Sequence, residues 1–296
     1  MKTKILFGIM RLPFLVLTPA CVFLGLAVAV WANAEVNWLH FALLLIGAVC
    51  AHISVNTFNE YFDYKSGLDS KTQRTPFSGG SGTLQARPEA ARLALITGLS
   101  TSAATALIGL YFGWLRGPSI LLPGALGLFI VVAYTPWLTR DPFLCLIAPG
   151  LGFGPLMVIS VAFALTGTYS WTALAVSLIP FFLVSDLLLL NQFPDVEADR
   201  SVGRRHIPIL FGRKRASLVY NLFLLGAYLT VVAGVTFKVL PPVSLLGLIS
   251  AVIAIPAGFR AFRHADDLPG LAPAFGLNVL VNLATPLLVG IGLLIR

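Results

Sequence analysis

Residues 171–193 read WTALAVSLIPFFLVSDLLLLNQF, an almost unbroken apolar run in which Asp186 carries the one charge. An α-helix needs about 20 apolar residues to cross the hydrocarbon core of a bilayer. The strands of a membrane β-barrel would alternate apolar and polar residues, and this run does not alternate. The stretch therefore predicts a transmembrane helix and indicates an all-α membrane protein.

The rest of the chain repeats this pattern. Of its 296 residues, 57% are hydrophobic and 11% are charged, and the mean hydropathy is +0.90. A soluble domain carries about 25% charged residues, so lipid must cover most of this surface. Nine spans are predicted, at 12–33, 39–62, 91–115, 118–138, 143–166, 171–193, 216–237, 241–260 and 272–295. We therefore expect nine transmembrane helices in one bundle, forming a single domain over residues 1–296.

The basic residues predict how this bundle is oriented. With the N-terminus in the cytoplasm, 17 of the 20 lysines and arginines fall in cytoplasmic segments, and only Arg116, Lys238 and Arg296 lie outside. This bias follows the positive-inside rule, and an odd number of spans puts the C-terminus outside. The rule also accounts for the net charge of +8 without a nucleic-acid partner. The prediction is an integral protein of the cell (inner) membrane.

Seven of the twelve acidic residues fall in two groups, at or near the cytoplasmic ends of spans two and six. They are Glu60, Asp63 and Asp69 in the first group, and Asp186, Asp195, Glu197 and Asp199 in the second. The groups adjoin the two longest cytoplasmic loops, at about 63–90 and 194–215. Long loops on a compact scaffold are usually functional, and clustered like charges require compensation. Both groups are therefore candidates for a functional site.

The first group is arranged around the end of a predicted helix. Asn56, Asn59 and Asp63 are three and four residues apart, so they share one helix face. Gly67 is a natural helix terminator, and Asp69 follows it and can fold back toward the same point. Beyond this group, residues 75–82 read TPFSGGSG. The glycines give this loop high backbone freedom, and a plain flexible connector is the alternative interpretation.

The second group has a similar spacing. Asn191, Asp195 and Asp199 are four residues apart and share a face if the helix continues. Pro194 predicts a kink in such a helix. Asp186 lies about mid-span, where a carboxylate is costly and is by default a functional hypothesis. A structural hydrogen bond from Asp186 to another helix is the equal alternative.

Oxygen ligands of this kind suit hard divalent cations. Magnesium in particular is held by one or two carboxylates while substrate phosphates complete its shell. Metals so placed neutralise the charge that develops on a leaving diphosphate. Basic residues in the same two loops could pair with phosphate oxygens; the candidates are Lys65, Lys71, Arg74, Arg204, Arg205, Arg213 and Lys214. Arg11, before span one, either reaches the diphosphate or only marks the topology. Either acidic motif alone would usually be a solvated helix end, but two motifs on one membrane face, both flanked by cations, favour a shared site.

The paired motifs resemble those of the UbiA superfamily of intramembrane prenyltransferases. The resemblance includes the stretch DVEADRSVGRRHIPILFGR at 195–213 and covers essentially the whole chain. It implies the Mg²⁺-dependent transfer of a prenyl group from a polyprenyl diphosphate to an acceptor, commonly an aromatic ring. It also implies a set of metal ligands at Asn59, Asp63, Asp69, Asn191, Asp195 and Asp199. The implied catalytic residues are Asp63, Asp195 and Tyr134, although Tyr134 could also be an interfacial aromatic anchor.

Two details refine this resemblance. Many members of the superfamily have Asn-Asp where this chain has Asn59-Glu60, so the role of Glu60 is left open. The spacing from Asp63 to Asp69, with Gly67 between them, resembles the branch that prenylates 1,4-dihydroxy-2-naphthoate in menaquinone biosynthesis. Other acceptors stay open: 4-hydroxybenzoate, homogentisate, chlorophyllide or a lipid glycerol phosphate.

The polyprenyl tail would lie in membrane lipid while its diphosphate stays at the cytoplasmic face. Spans one to four and five to eight each carry one motif on their second member, which suggests an internal duplication plus an extra ninth span. Two rival functions are a membrane transporter and another magnesium-dependent lipid-phosphate enzyme. A transporter would explain the spans and Asp186, but its site would be expected near the bilayer midplane.

Overall fold

A computed structural model describes residues 2–72, 74–75 and 78–295 of this chain, and every regular element within those ranges is helical. Pro76 and Phe77 of the glycine-rich stretch lie outside the described residues, as does Arg296. The helices, with their terminal 3-10 turns, are α1 (Lys2–Met10), α2 (Leu12–Trp31), α3 (Trp38–Ser66), α4 (Pro88–Arg116), α5 (Pro118–Ala133), α6 (Pro142–Thr166), α7 (Trp171–Asn191), α8 (Val196–Ser201), α9 (Ile207–Thr236), α10 (Pro242–Arg263) and α11 (Leu268–Ile295).

Eight of the described helices are long and apolar enough to cross a membrane: α2, α3, α4, α6, α7, α9, α10 and α11. The chain is therefore an integral membrane protein. The predicted fourth span corresponds to α5, which is apolar but shorter. At a rise of about 1.5 Å per residue, this helix spans about 24 Å, less than the roughly 30 Å hydrocarbon core. The count of nine crossings and the placement of the two termini remain predictions.

The ends of α3 show how local sequence sets the helix bounds. The Asn37 side chain caps the N-terminus by accepting a hydrogen bond from the backbone N–H of His40 at 3.0 Å. Gly67 ends the helix in a left-handed conformation, with φ of 72°, as its lack of a Cβ favours. Asp69 follows in the 3-10 turn Leu68–Ser70. The predicted helix terminator is therefore at Gly67, and the chain turns there toward the acidic residues.

The second acidic motif does not lie on one continuous helix. α7 ends at Asn191, residues 192–195 form a turn, and α8 begins at Val196. The expectation of a single shared helix face was wrong, because Pro194 has no N–H to donate and its ring clashes with the carbonyl four residues earlier. The turn nevertheless carries Asp195 and Asp199 back beside Asn191, against the same cavity.

The core of the bundle is centred on α7. This helix packs against α9, α6 and α11, while α3 pairs with α4, and α2 packs against α11. Leu183, Val184 and Leu190 of α7 are fully buried. Apolar side chains on the outer surface, such as Leu122 and Val252, are more than three-quarters exposed, as expected where lipid replaces water as the solvent. The packing leaves a polar cavity beside the ends of α3 and α7.

Candidate active site

A cavity of about 180 Å³ lies where the two acidic motifs meet. The residues that line it come from α3, α6, α7 and α8, from the segments after α3, α5, α7 and α8, and from the junction of α1 and α2. The cavity brings together the six predicted metal ligands, Asn59, Asp63, Asp69, Asn191, Asp195 and Asp199, with Tyr134, Arg11 and Arg204. Residues that are far apart in the sequence therefore form one site, although their roles stay predictions.

Arg204 joins the two motifs. Its guanidinium donates to the Asp63 carboxylate on α3 and, at 2.8 Å, to Asp199 Oδ1 on α8. All three side chains are buried or nearly so. Buried charges are tolerated only when they are paired and hydrogen-bonded, so this pairing stabilises two carboxylates that would otherwise repel each other.

His206 holds the other oxygen of Asp199. Its Nε2 lies 2.9 Å from Asp199 Oδ2, and both side chains are almost completely buried. Burial alone would raise the pKa of Asp199, but the His206 hydrogen bond and the charge of Arg204 more than offset it, so this pKa lies below its usual value. The sequence analysis missed His206, because a single histidine next to two arginines carries no periodic signal.

Both carboxylate oxygens of Glu60 accept hydrogen bonds from other residues of the protein. Arg11 Nε donates to Glu60 Oε1 at 2.6 Å, and the Ser81 backbone N–H donates to the same oxygen at 2.8 Å. The Ser81 hydroxyl donates to Glu60 Oε2 at 2.7 Å. The carboxylate is fully buried, and Glu60 is not part of the cavity wall. Glu60 therefore connects Arg11 to the loop after α3, and this arrangement could not be inferred from its place beside Asn59.

Three oxygens of the cavity remain unpaired. Asp69 Oδ2, Asn191 Oδ1 and Asp195 Oδ1 are buried and have no hydrogen-bond partner among the described residues. Burial, followed by neighbouring carboxylates, raises the pKa of Asp69 and of Asp195 to about 7 each. Burial without a partner destabilises an ionised carboxylate. A hard divalent cation bound to these oxygens would stabilise the ionised form. The chemistry of these donors therefore fits Mg²⁺, although no three His, Cys, Asp or Glu side chains among the described residues are already gathered as a metal-binding group.

The predicted diphosphate-binding cations are divided by the fold. Arg11 and Arg204 line the cavity, whereas Lys65, Lys71, Arg74, Arg205 and Lys214 are exposed and are not part of its wall. Lys71 Nζ donates to Ser201 Oγ at 3.3 Å, which connects the two cytoplasmic loops. Lys214 Nζ donates to the Phe262 carbonyl at 2.6 Å, near the end of α10. Charge and loop position alone could not distinguish these two groups.

Part of the cavity wall is less polar. Tyr134 lies at the end of α5, and its hydroxyl donates to the Cys145 carbonyl at 3.5 Å. Gln192 Nε2 donates to Cys145 Sγ at 3.3 Å. Apolar side chains complete this part of the wall, namely Phe14, Leu17, Phe153, Leu187 and Leu188. The cavity wall thus combines charged groups suited to an anion and its counterions with apolar groups suited to hydrocarbon.

Asp186 lies elsewhere. Its side chain is fully buried within α7, and neither carboxylate oxygen has a hydrogen-bond partner among the residues that the structure describes. Its backbone carbonyl accepts a 3.5 Å hydrogen bond from Asn278 Nδ2 on α11. Leu187 and Leu188 line the cavity, but Asp186 does not. The structure therefore separates Asp186 from the other predicted functional acids.

Comparison with known proteins shows which family this chain resembles. The profile of the UbiA prenyltransferase family matches residues 17–285. The chain is 26% identical to the 1,4-dihydroxy-2-naphthoate octaprenyltransferase of Bacillus subtilis over 280 residues, which cover 93% of this chain and 87% of that protein.

Two solved structures share the fold. The apo structure of a UbiA homolog from Aeropyrum pernix superposes with a TM-score of 0.74 at 19% identity, covering 96% of this chain and 98% of that one. A UbiA homolog from Archaeoglobus fulgidus, bound to GPP and Mg²⁺, superposes with a TM-score of 0.65 at 15% identity and covers 99% of this chain and all of that one.

Proposed function

The chain belongs to the UbiA prenyltransferase family, and we propose that it transfers a polyprenyl group from its diphosphate to 1,4-dihydroxy-2-naphthoate or a related aromatic quinone precursor. The observation that carries this proposal is the cavity in which both acidic motifs, two arginines and an apolar wall meet. The name of the Bacillus subtilis relative supports the naphthoate acceptor, as does the spacing between Asp63 and Asp69. Family membership favours this enzyme over a transporter.

The carboxylates and amides of the cavity would hold magnesium. Asn59, Asp63 and Asp69 would do so on one side, and Asn191, Asp195 and Asp199 on the other. Bound there, Mg²⁺ supplies positive charge to the diphosphate as it leaves. Arg204 now occupies one oxygen each of Asp63 and Asp199. In the reaction we expect its guanidinium to release these oxygens and pair with the diphosphate, because arginine binds phosphate in a bidentate manner.

The apolar wall serves the other half of the substrate. Phe14, Leu17 and Phe153 would contact the first prenyl units and exclude water from the carbon that becomes cationic when its bond to oxygen breaks. The aromatic ring of Tyr134 would face the same carbon, where the negative face of a phenol ring stabilises positive charge. The acceptor ring then forms the new carbon–carbon bond and loses a proton.

The orientation in the membrane is part of the proposal. We place the N-terminus and the cavity at the cytoplasmic face of the cell (inner) membrane and the C-terminus outside, with α5 as a ninth, short crossing. The distribution of the basic residues supports this orientation, since 17 of the 20 fall on the cavity side. A single domain over residues 1–296, with an internal duplication, is the simplest account of two motifs facing one cavity.

Mass spectrometry of reaction products tests the function. Membranes that contain the protein are given prenyl diphosphates of several lengths and a panel of acceptors, with and without EDTA. We expect a prenylated naphthoate product that requires Mg²⁺, and none when the acceptor is left out. A product with 4-hydroxybenzoate or homogentisate alone would keep the enzyme class and change the acceptor. Product formation that is unaffected by EDTA would contradict the magnesium assignment.

A further inference from the structure

The loop after α3 carries a feature that the acidic motifs do not explain. The glycine loop, residues 78–82, has sequence Ser-Gly-Gly-Ser-Gly, and its first three residues line the cavity between the two motifs. Gly79, Gly80 and Gly82 have φ values of 81°, 71° and 74°. Glycine adopts this left-handed conformation without the steric cost that a Cβ adds. The glycines therefore allow the backbone itself to form part of the cavity wall.

The glycine loop contacts both acidic motifs. The backbone N–H of Gly79 donates a hydrogen bond to the Asp195 carboxylate. A Cβ placed on Gly80 would lie 2.9 Å from Asp69 Oδ1, so the backbone approaches this carboxylate closely. Ser81 donates both its backbone N–H and its hydroxyl to Glu60. The loop thus lies over the cavity between the predicted ligands of the two metal regions.

We propose that the glycine loop is a diphosphate-binding element, and that Glu60 is the positioning residue that holds it over the cavity. The proposal rests on the proposed function, since a diphosphate is the anion assigned to this cavity. Successive backbone N–H groups form concave sites for anions where right-handed and left-handed residues alternate or the chain turns. The Gly79 amide already interacts with one anion, the Asp195 carboxylate, and a phosphate oxygen in the same cavity would take its place.

Glu60 is suited to positioning and poorly suited to metal binding. Its two oxygens accept three hydrogen bonds, from Arg11 and from Ser81, and its charge is balanced by Arg11. A metal ion could reach this carboxylate only if those bonds were broken, which would detach the loop and leave the Arg11 charge buried and unpaired. The longer arm of glutamate, compared with aspartate, extends its carboxylate further toward Ser81.

The test compares pyrophosphate binding with magnesium binding in the purified full-length protein. Thermal unfolding is followed while inorganic pyrophosphate is titrated at saturating Mg²⁺, and separately while Mg²⁺ is titrated alone. For Glu60→Gln and Ser81→Ala we expect the pyrophosphate concentration for half-maximal stabilisation to rise about tenfold or more, the value of a lost hydrogen bond to a charged group. The Mg²⁺ midpoint should change less than about twofold.

Matched variants separate positioning from general damage. Ser81→Thr keeps the hydroxyl and should bind pyrophosphate as the parent does. The double variant Glu60→Gln/Ser81→Ala should be no weaker than the weaker single variant, because the two residues act through one contact. Gly80→Ala should weaken pyrophosphate binding. Gly167→Ala should not, since Gly167 has a similar left-handed φ, 79°, but lies at the far end of α6, where an added Cβ would meet only Arg116 Nη1 at an ordinary contact distance of 3.7 Å.

Three results would overturn the proposal. Unchanged pyrophosphate binding in Ser81→Ala and Gly80→Ala would remove the loop from the site. A weakened Mg²⁺ midpoint in Glu60→Gln, with no effect in Ser81→Ala, would make Glu60 a metal ligand instead. Equal losses in Gly80→Ala and Gly167→Ala would reduce the effect to backbone strain. If no prenyl product were formed with any acceptor, the proposed function would fail, while pyrophosphate binding would still report on the loop.

Discussion

Asp63 and Asp186 are both buried carboxylates on membrane helices, one on α3 and one on α7. Asp63 pairs with Arg204 and lies in a cavity with other polar groups. Asp186 has no hydrogen-bond partner for its carboxylate among the described residues, and it is flanked along α7 by Ser185 and a run of leucines. Asp63 lies three residues from the end of its helix, within reach of loop arginines, whereas Asp186 lies about 7.5 Å deeper than Asn191.

The difference between the two residues shows what allows several ionised carboxylates to be buried together in this protein. An ionised carboxylate in hydrocarbon is costly unless a cation or several hydrogen bonds compensate it. The cavity supplies both, through Arg11, Arg204, His206 and the glycine loop, and still leaves oxygens for a metal ion. The Asp186 carboxylate has no such hydrogen bond among the described residues and is enclosed by packed helices. We therefore expect substitutions at the two positions to differ greatly in their effect on activity.

The largest effect is expected from Asp63→Asn and Asp195→Asn. Each substitution removes a charged oxygen from the predicted magnesium sites, and metal stabilisation of a leaving group is worth several kcal/mol. We expect kcat/KM to fall by about 100-fold or more, measured as Mg²⁺-dependent product formation. Asp266→Asn, which changes an exposed carboxylate, should leave the rate unchanged. Either cavity variant keeping more than about a tenth of the activity would remove that residue from the catalytic set.

The second-largest loss of activity is expected at Arg204, and the adjacent Arg205 serves as its comparison. Arg204→Gln removes the bridge between Asp63 and Asp199, and loss of one partner of a buried ion pair costs about 3–5 kcal/mol. We expect kcat/KM to fall about 30-fold and the thermal stability without Mg²⁺ to fall as well. Arg205→Gln, at an exposed neighbouring position, is the matched control. Equal losses in both variants would indicate that general positive charge, and not the bridge, is required.

A smaller effect is expected from the histidine that supports Asp199. His206→Gln should weaken the apparent affinity for Mg²⁺ about tenfold, as is usual when a residue that orients a metal ligand is lost. His264→Gln is the control, because His264 also contacts an aspartate, Asp267, at 3.0 Å, but does so near the protein surface. The measurement is the Mg²⁺ dependence of the initial rate. An unchanged Mg²⁺ dependence in His206→Gln would show that Asp199 does not need this support.

The smallest effect is expected at Asp186. Asparagine has nearly the same shape and cannot ionise, so Asp186→Asn should keep kcat/KM within about twofold and leave thermal stability unchanged or raised. The two measurements are the initial rate and thermal unfolding in detergent. A loss of more than about tenfold in rate, without a loss of stability, would place Asp186 in the mechanism and remove the contrast with Asp63.

Much of this architecture follows from local sequence signals. Continuous apolar runs predict the helices, Gly67 ends α3 as expected, and the spacing of Asn59, Asp63, Asn191 and Asp195 identified both motifs. The resemblance to the UbiA superfamily is confirmed by the family match over residues 17–285. The predicted helix face after Asn191 was the exception, because Pro194 separates α7 from α8.

The sequence by itself determined the helices, the membrane environment and the two acidic motifs, since each depends on residues a few positions apart. Only the tertiary structure decided which side chains meet. Arg204 and Asp63 are 141 positions apart and pair directly, while the exposed Arg205 next to Arg204 does not line the cavity. Glu60 is bound to Ser81, and Asp186 is turned away from the cavity. Ion pairs and burial depend on how distant helices pack, and no local spacing records that packing.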